Sequence, residues 1–228
     1  MALKRPEGMT DEEFLEYANQ KARKKKEARD KMLANKTNEK GLLIVHTGKG
    51  KGKSTAAFGI VFRALGNEMR VGVVQFVKGK WETGERAVLE KFPELVEIKS
   101  MGEGFTWETQ DRARDIAAAQ GAWAYCKDMI ERSRIRHEKR EKGESLDSDT
   151  GFDVLLFDEI NIVLRYDYLD MAEVLNVLGQ KPEMLHIILT GRNAKEELIE
   201  AADLVTEMTQ IKHPFREQNI KAQVGIEY

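Results

Sequence analysis

The segment LLIVHTGKGKGKSTAAFG, residues 42–59, constrains the fold more than any other stretch of the chain. It reads as a buried strand, a loop with three alternating glycines, a Lys-Ser-Thr run and the start of a helix. Gly48, Gly50 and Gly52 let backbone N–H groups turn inward without Cβ clashes, and the helix directs the positive end of its dipole at whatever sits in the loop. Lys53 adds a cation, with Lys49 and Lys51 beside it, and Ser54 and Thr55 supply hydroxyls, Ser54 positioned to ligate Mg²⁺. Polyphosphate binding is the chemistry such a loop serves. The match to G-x-x-x-x-G-K-[ST] is imperfect, because Thr47 stands five residues before Gly52 where a glycine is expected.

A phosphate loop of this kind needs an open sheet behind it, and the pattern from Gly41 onward provides one. Short runs rich in Val, Ile and Leu fall at 42–46, 71–77, 95–99, 153–158, 185–190 and 203–208. Their saturation with apolar residues predicts strands buried on both faces, as in a parallel sheet covered by helices. Amphipathic stretches predict helices at 54–66, 83–91, 108 to about 136, 170–179 and 195–201. The stretch from Ser133 to Gly151 is charged and offers little to bury, so it is expected to be a surface excursion of the preceding helix.

Before this domain lies an arm, residues 1–40. Thr10 followed by Glu13 is a capping box, and no Gly or Pro interrupts residues 10–34, which predicts a charged helix with a thin apolar stripe. It reads either as a mobile arm or as a helix that folds over a site or a partner subunit. The arm carries 11 basic and 8 acidic side chains and the remainder 26 and 31, for a net charge of -2 overall. An acidic body argues against a surface that tracks nucleic acid. The single cysteine, Cys126, excludes an intramolecular disulfide and a multi-Cys metal site within one chain. With no apolar run near the ~18 residues of a membrane span and no secretory signal, a cytoplasmic protein is expected.

DVLLFDE ends a candidate strand in two carboxylates, Asp158 and Glu159. At the carboxyl edge of a parallel sheet such a pair is placed to hold a metal ion or its waters; an acidic pair capping the next helix is the bland alternative. His46, His137, His186 and His213 show no metal-ligand spacing, and Cys126 reads as packing. Trp81 to Glu85 either lines the site or starts a helix, and Phe105 and Trp107, alternating with polar residues in GEGFTWET, read from the residues alone as core packing or as a ligand wedge.

Taken in order, TGKGKGKSTAAFG, RVGVVQFVKGKWETGE, MGEGFTWETQDR, LLFDEIN with RYDYL, ILTGR, ADLVTEM and KHPF with KAQVGIEY resemble the P-loop family of corrinoid adenosyltransferases, from about Gly41 to Tyr228. The resemblance implies a P-loop NTPase (RecA-like) three-layer α/β fold with a mostly parallel central sheet. It implies transfer of the 5′-deoxyadenosyl group of ATP to the Co(I) of a corrinoid, with triphosphate leaving. By the same resemblance Gly48 to Thr55 wrap the triphosphate, Lys53 and Lys51 offset its charge, and Ser54 with Glu159 hold Mg²⁺, joined by Asp158. Arg63 matches a position associated with nucleotide phosphates, and Phe105 and Trp107 match aromatics that lie against the corrinoid. A reduced flavoprotein donor and a homodimer are implied as partners.

Lys49, Gln210 and Ile211 depart from residues common in that family, Lys49 standing where Asn is frequent and Gln210 and Ile211 where Arg-Pro is frequent. Other readings remain open on the sequence: a P-loop ATPase or kinase, a RecA-like nucleic-acid-binding protein, or an ATP or corrinoid sensor that lacks turnover.

Overall fold

The computed structural model describes residues 4–77, 83–102, 111–146 and 150–227. Its residues divide into two compact units, Met1–Glu39 and Lys40–Tyr228. The first is built on helix α1, Asp11–Ala34. Thr10 caps it as the sequence predicts: its side chain accepts from the Glu13 N–H while the Glu13 carboxylate accepts from the Thr10 N–H at 2.8 Å. No residue of α1 is buried.

The second unit is a six-stranded sheet in the order β3-β2-β4-β5-β1-β6. The strands are β1 (Leu43–Thr47), β2 (Val71–Gln75), β3 (Val96–Ser100), β4 (Val154–Asp158), β5 (His186–Thr190) and β6 (Leu204–Glu207). Every described pairing is parallel, so the sheet goes beyond the mostly parallel one expected. Because side chains alternate along a strand, the four inner strands feed two cores. Leu43, Val45, Val74, Leu155, Phe157, Ile187 and Leu189 join one cluster, and Ile44, Val71, Val73, Val154, Leu156 and Ile188 join the other.

Helix α2 (Lys53–Leu65) covers the second face through Ala57, Phe58, Val61, Ala64 and Leu65, with Leu89 from α3 (Gly84–Leu89). Across the sheet lie α4 (Arg112–Glu141), α5 (Ile160–Arg165), α6 (Met171–Gly179) and α7 (Glu196–Ala201). Trp123 of α4 meets Phe157 of β4 edge to face, centroids 6.2 Å apart. The short helices α5 and α8 (Pro214–Gln218) were not legible as helices, since each is about one turn and carries no full period of pattern.

The stretch after Ser133 is not a surface excursion at its start. Helix α4 runs on to Glu141, and Ser133, Arg136 and His137 are buried. Arg136 reaches Asp153, itself 3% exposed, at 3.2 Å, and Arg140 reaches the same carboxylate at 3.0 Å. Asp153 also accepts from the Arg70 N–H at 2.9 Å, and Ser133 Oγ accepts from the Phe152 N–H at 3.1 Å. Charged residues are buried here because their counter-charge, Asp153, lies just before β4 and 13 or more residues along the chain, which local composition does not reveal.

Burial alone would raise the Asp153 pKa, but hydrogen bonds from Arg136 and Arg70 and the nearby guanidinium charges outweigh it and hold it below the usual aspartate value. A depressed carboxylate contributes stability above its unfolded pKa of about 3.9 and loses it as pH falls through the lower folded value. Asp153→Ala leaves Arg136 buried without its carboxylate, and urea unfolding is expected to show a loss of roughly 3–5 kcal/mol at neutral pH. The difference between variant and wild type should shrink on acidification below about pH 4.

Candidate functional site

At the carboxyl edge of the sheet the strand ends converge on one cleft. β1 ends in Thr47, whose Oγ1 accepts from the Ala194 N–H at 2.9 Å, and the chain turns at once into the glycine loop. Gly48 sits at φ 98° and Gly52 at φ 103°, conformations that side chains with a Cβ rarely adopt. A Cβ on Gly48 would lie 2.4 Å from the Met208 carbonyl oxygen, and one on Gly50 would lie 2.8 Å from it. The end of β6 therefore packs directly on the loop, and the Gly50 N–H donates to Met208 O at 2.7 Å. The loop's first tight turn is made by Gly48, one residue later than the expected pattern, which leaves Thr47 free to anchor residue 194.

The loop and the first turn of α2 line a cleft of about 590 Å³, with Gly50, Lys51, Gly52, Lys53, Ser54 and Thr55 on one side and Glu85, Glu159, Arg192, Pro214, Ile226 and Glu227 around them. Lys53 is 7% exposed and its Nζ donates to the Gly50 carbonyl at 2.5 Å. Desolvation pushes its pKa down, the Arg192 charge adds to this, and Glu159 opposes it. An anion entering the cleft would reverse that balance. Lys51 pairs with Glu227, so a carboxylate already faces one loop cation.

Asp158 is fully buried at the end of β4 and gathers donors from different elements. Ser54 Oγ donates to its Oδ1 at 2.7 Å, Thr190 Oγ1 to the same oxygen at 2.8 Å, and Gln75 Nε2 to Oδ2 at 3.3 Å. Thr190 stands on β5, the strand between β1 and β4, and its hydroxyl also accepts from the Glu159 N–H at 2.9 Å. Glu159 itself takes φ 67° at the start of α5 and lines the cleft. The two carboxylates thus divide: Asp158 grips Ser54 from beneath, while Glu159 faces the cavity.

Other residues singled out in the sequence fall elsewhere. Lys49 is exposed and lines a neighbouring 400 Å³ cleft with Arg192, Glu207, Thr209, Gln210 and Arg216. Arg63 does not join the loop. It lies exposed in the last turn of α2, ten residues past Lys53 and so about 15 Å along the helix. Phe105 and Trp107, and Trp81 of WETGE, are outside the described residues, whereas Glu85 reaches the cleft. His46 Nδ1 lies 3.2 Å from the Lys53 carbonyl, His186 Nδ1 accepts from the Leu42 N–H, and His213 caps α8. Cys126 is fully buried and burial pushes its thiol pKa up, as packing requires. Among the described residues no three His, Cys, Asp or Glu side chains group to hold a metal by themselves.

Sequence reasoning missed Arg192, Thr190, Gln75 and Glu227. Arg192 and Thr190 lie in the ILTGR motif and Gln75 in VGVVQFV, at strand ends or just beyond, where a polar residue closing an apolar run was the available signal.

A glycine loop between a parallel strand and a helix, with a buried acidic strand end beyond one intervening strand, defines a P-loop nucleotide-binding α/β protein. Residues 39–228 match the family model described as ATP:corrinoid adenosyltransferase BtuR/CobO/CobP. A corrinoid adenosyltransferase of Sinorhizobium sp is 55% identical over 210 residues, 91% of this chain and 90% of the relative. That of Pseudomonas aeruginosa is 48% identical over 205 residues, 90% and 92% of the two chains. That of Escherichia coli (strain K12) is 40% identical over 220 residues, 96% and 100%. The chain belongs to the ATP:corrinoid adenosyltransferase family. No described helix is long and apolar enough to cross a membrane.

If the Glu227 carboxylate competes with a polyphosphate for Lys51, removing its charge should strengthen binding. Glu227→Gln is expected to lower the Kd for ATP by up to about fivefold, the scale of an exposed ion pair. Isothermal titration at low and high salt would check it, the gain shrinking as salt rises.

Proposed function

We propose that this enzyme transfers the 5′-deoxyadenosyl group of ATP to the Co(I) centre of a corrinoid, releasing triphosphate. The observation that carries the reading is the convergence of Lys53, Ser54, Glu159 and Arg192 on one cleft beside the glycine loop, in a chain of this family. In the reaction the Co(I) lone pair attacks C5′ of the ribose. A cobalt–carbon bond forms, the C5′–O bond breaks, and its electron pair leaves on the triphosphate oxygen.

Such a displacement needs no side-chain nucleophile and no base, because the attacking atom belongs to the substrate. What the protein must supply is alignment and a place for the growing negative charge. The amides of the loop, the N-terminus of α2, and the cations Lys53, Lys51 and Arg192 are suited to the charge. Burial of Lys53 strengthens its attraction for a polyphosphate, since little water screens it. Phe105 and Trp107 are assigned to the corrinoid side by the family resemblance alone.

A divalent cation fits the donor set. Ser54 Oγ and the Asp158 carboxylate meet at 2.7 Å, and Glu159 opens on the same cleft. These are hard oxygen donors too few to form a closed cage, which suits Mg²⁺, an ion that keeps waters and takes the remaining positions from phosphate oxygens. Bound there by Ser54, Glu159 and Asp158, Mg²⁺ would add charge stabilisation to the triphosphate. We further assign the enzyme to the cytoplasm, as a homodimer whose corrinoid takes its electron from a reduced flavoprotein.

Incubating the protein anaerobically in the dark with ATP, Mg²⁺ and chemically reduced cob(I)alamin tests the reading. Light-sensitive adenosylcobalamin and equimolar triphosphate are expected. ADP with phosphate would instead identify an ATPase or kinase, and binding of both substrates without product a sensor. Lys53→Ala should cut kcat/KM by about 10²–10³, the scale of losing one charge-stabilising group, while leaving the far-ultraviolet circular dichroism unchanged.

A further inference from the structure

Asp158 receives from Gln75 a bond that the phosphate loop does not explain, and that bond continues outward. Gln75 ends β2, is 3% exposed, and its Oε1 accepts from Ser100 Oγ at 2.8 Å. Ser100 ends β3 and its oxygen accepts from Arg86 Nη1 at 3.1 Å, while Arg86 Nε donates to Glu90 at 2.7 Å. The donors between Arg86 and Asp158 run one way: guanidinium to serine, serine to amide, amide to carboxylate. A chain of this kind polarises each member toward the anion at its end.

The backbone repeats the connection. The Gln75 carbonyl accepts from the Met101 N–H at 3.0 Å and the Gly102 N–H at 3.3 Å. A Cβ on Gly102 would lie 2.5 Å from the Phe76 carbonyl, so the chain leaving β3 is pressed against the end of β2. On the other side the Phe76 N–H donates to the Asp158 carbonyl at 3.0 Å. Gln75 therefore holds Ser100 with its side chain and Met101 and Gly102 with its main chain, and holds the carboxylate beneath Ser54 with the same amide.

We infer that Gln75 is a positioning residue, acting through Asp158 and Ser100, that fixes the phosphate side of the cleft relative to the chain leaving β3. The inference deepens the adenosyltransferase reading and rests on it. The amide of Gln75 both donates to a carboxylate and accepts from a hydroxyl, as its two ends allow. Glutamate would bring a second carboxylate against Asp158, and an apolar side chain would leave the buried Asp158 oxygen and the Ser100 hydroxyl without this partner. In a displacement where C5′ must stay in line with its attacking and leaving atoms, a loosely held Asp158 and Ser54 lower turnover more than they lower binding of ATP.

The test compares Gln75→Met, Ser100→Ala and the double variant with wild type, measuring Kd for ATP, KM for cob(I)alamin, kcat and the urea midpoint. Ser100→Ala cuts the outer half of the chain at a partly exposed site. It should leave the ATP Kd within about twofold and the urea midpoint unchanged while kcat falls about tenfold. Gln75→Met should lower kcat further, and the double variant should be no worse than Gln75→Met alone, because both act through one chain. Ser100→Ala with wild-type kcat and corrinoid KM, or additive losses in the double variant, would overturn the inference; should Gln75→Met fail to fold, the Ser100→Ala outcome still decides. Wild-type protein that makes no adenosylated corrinoid would instead sink the reading on which the inference depends.

Discussion

A single buried carboxylate, Asp158, organises the carboxyl edge of this sheet. It accepts side-chain bonds from Ser54 on α2, Thr190 on β5 and Gln75 on β2, so three elements that are not adjacent in sequence are referred to one anion. Burying a charge is tolerable only when donors surround it. The parallel sheet meets that condition geometrically. Strands that all run one way end on one edge, and the polar residues closing β2, β4 and β5, Gln75, Asp158 and Thr190, meet there. The strand order β4-β5-β1 puts Thr190 between the acidic strand end and the phosphate loop, where its one hydroxyl serves both Asp158 and the Glu159 N–H.

The loop itself depends on a close approach rather than on flexibility. Gly48 and Gly50 lie where a Cβ would collide with the main chain at Met208 and Thr209. The chain after β6 therefore fixes the loop from outside, while the α2 helix fixes it from within through Lys53 and Ser54. A loop held on both sides presents its amides without first having to be ordered, and preorganised dipoles stabilise a departing anion more than dipoles that must turn.

Much of this was legible in the sequence because its signals are local. Each of the six strands was marked by a run of Val, Ile and Leu, the loop by its glycine spacing, and α1 by Thr10 and Glu13. What was not legible depends on partners distant in sequence. Arg136 and His137 looked solvated because the carboxylate that keeps Arg136 buried, Asp153, arrives on another element. Gln75 and Thr190 looked like the ends of strands because their roles exist only once β2, β4 and β5 are side by side. Arg63 was placed by resemblance, and one helix length of about 15 Å separates it from the loop within this chain. A motif fixes a residue type at a position, but not the direction in which its side chain finds company.

The two edges of the sheet divide the work. At the start of β4, Asp153 is held by Arg136, Arg140 and the Arg70 N–H; at its end, Asp158 holds Ser54, Thr190 and Gln75. Four residues of strand lie between them, a span of about 16 Å. At that distance in a rigid, close-packed core the two clusters share no partner, so changes at one should add to changes at the other rather than compound them. The ion cluster at the first edge sets two guanidinium groups against one carboxylate and lines neither of the clefts described above, which makes it a device for stability. The second edge keeps Lys53, Glu159 and Arg192 turned into an open cavity, a concentration of charge that folding alone gives no reason to maintain and that an arriving polyphosphate would satisfy.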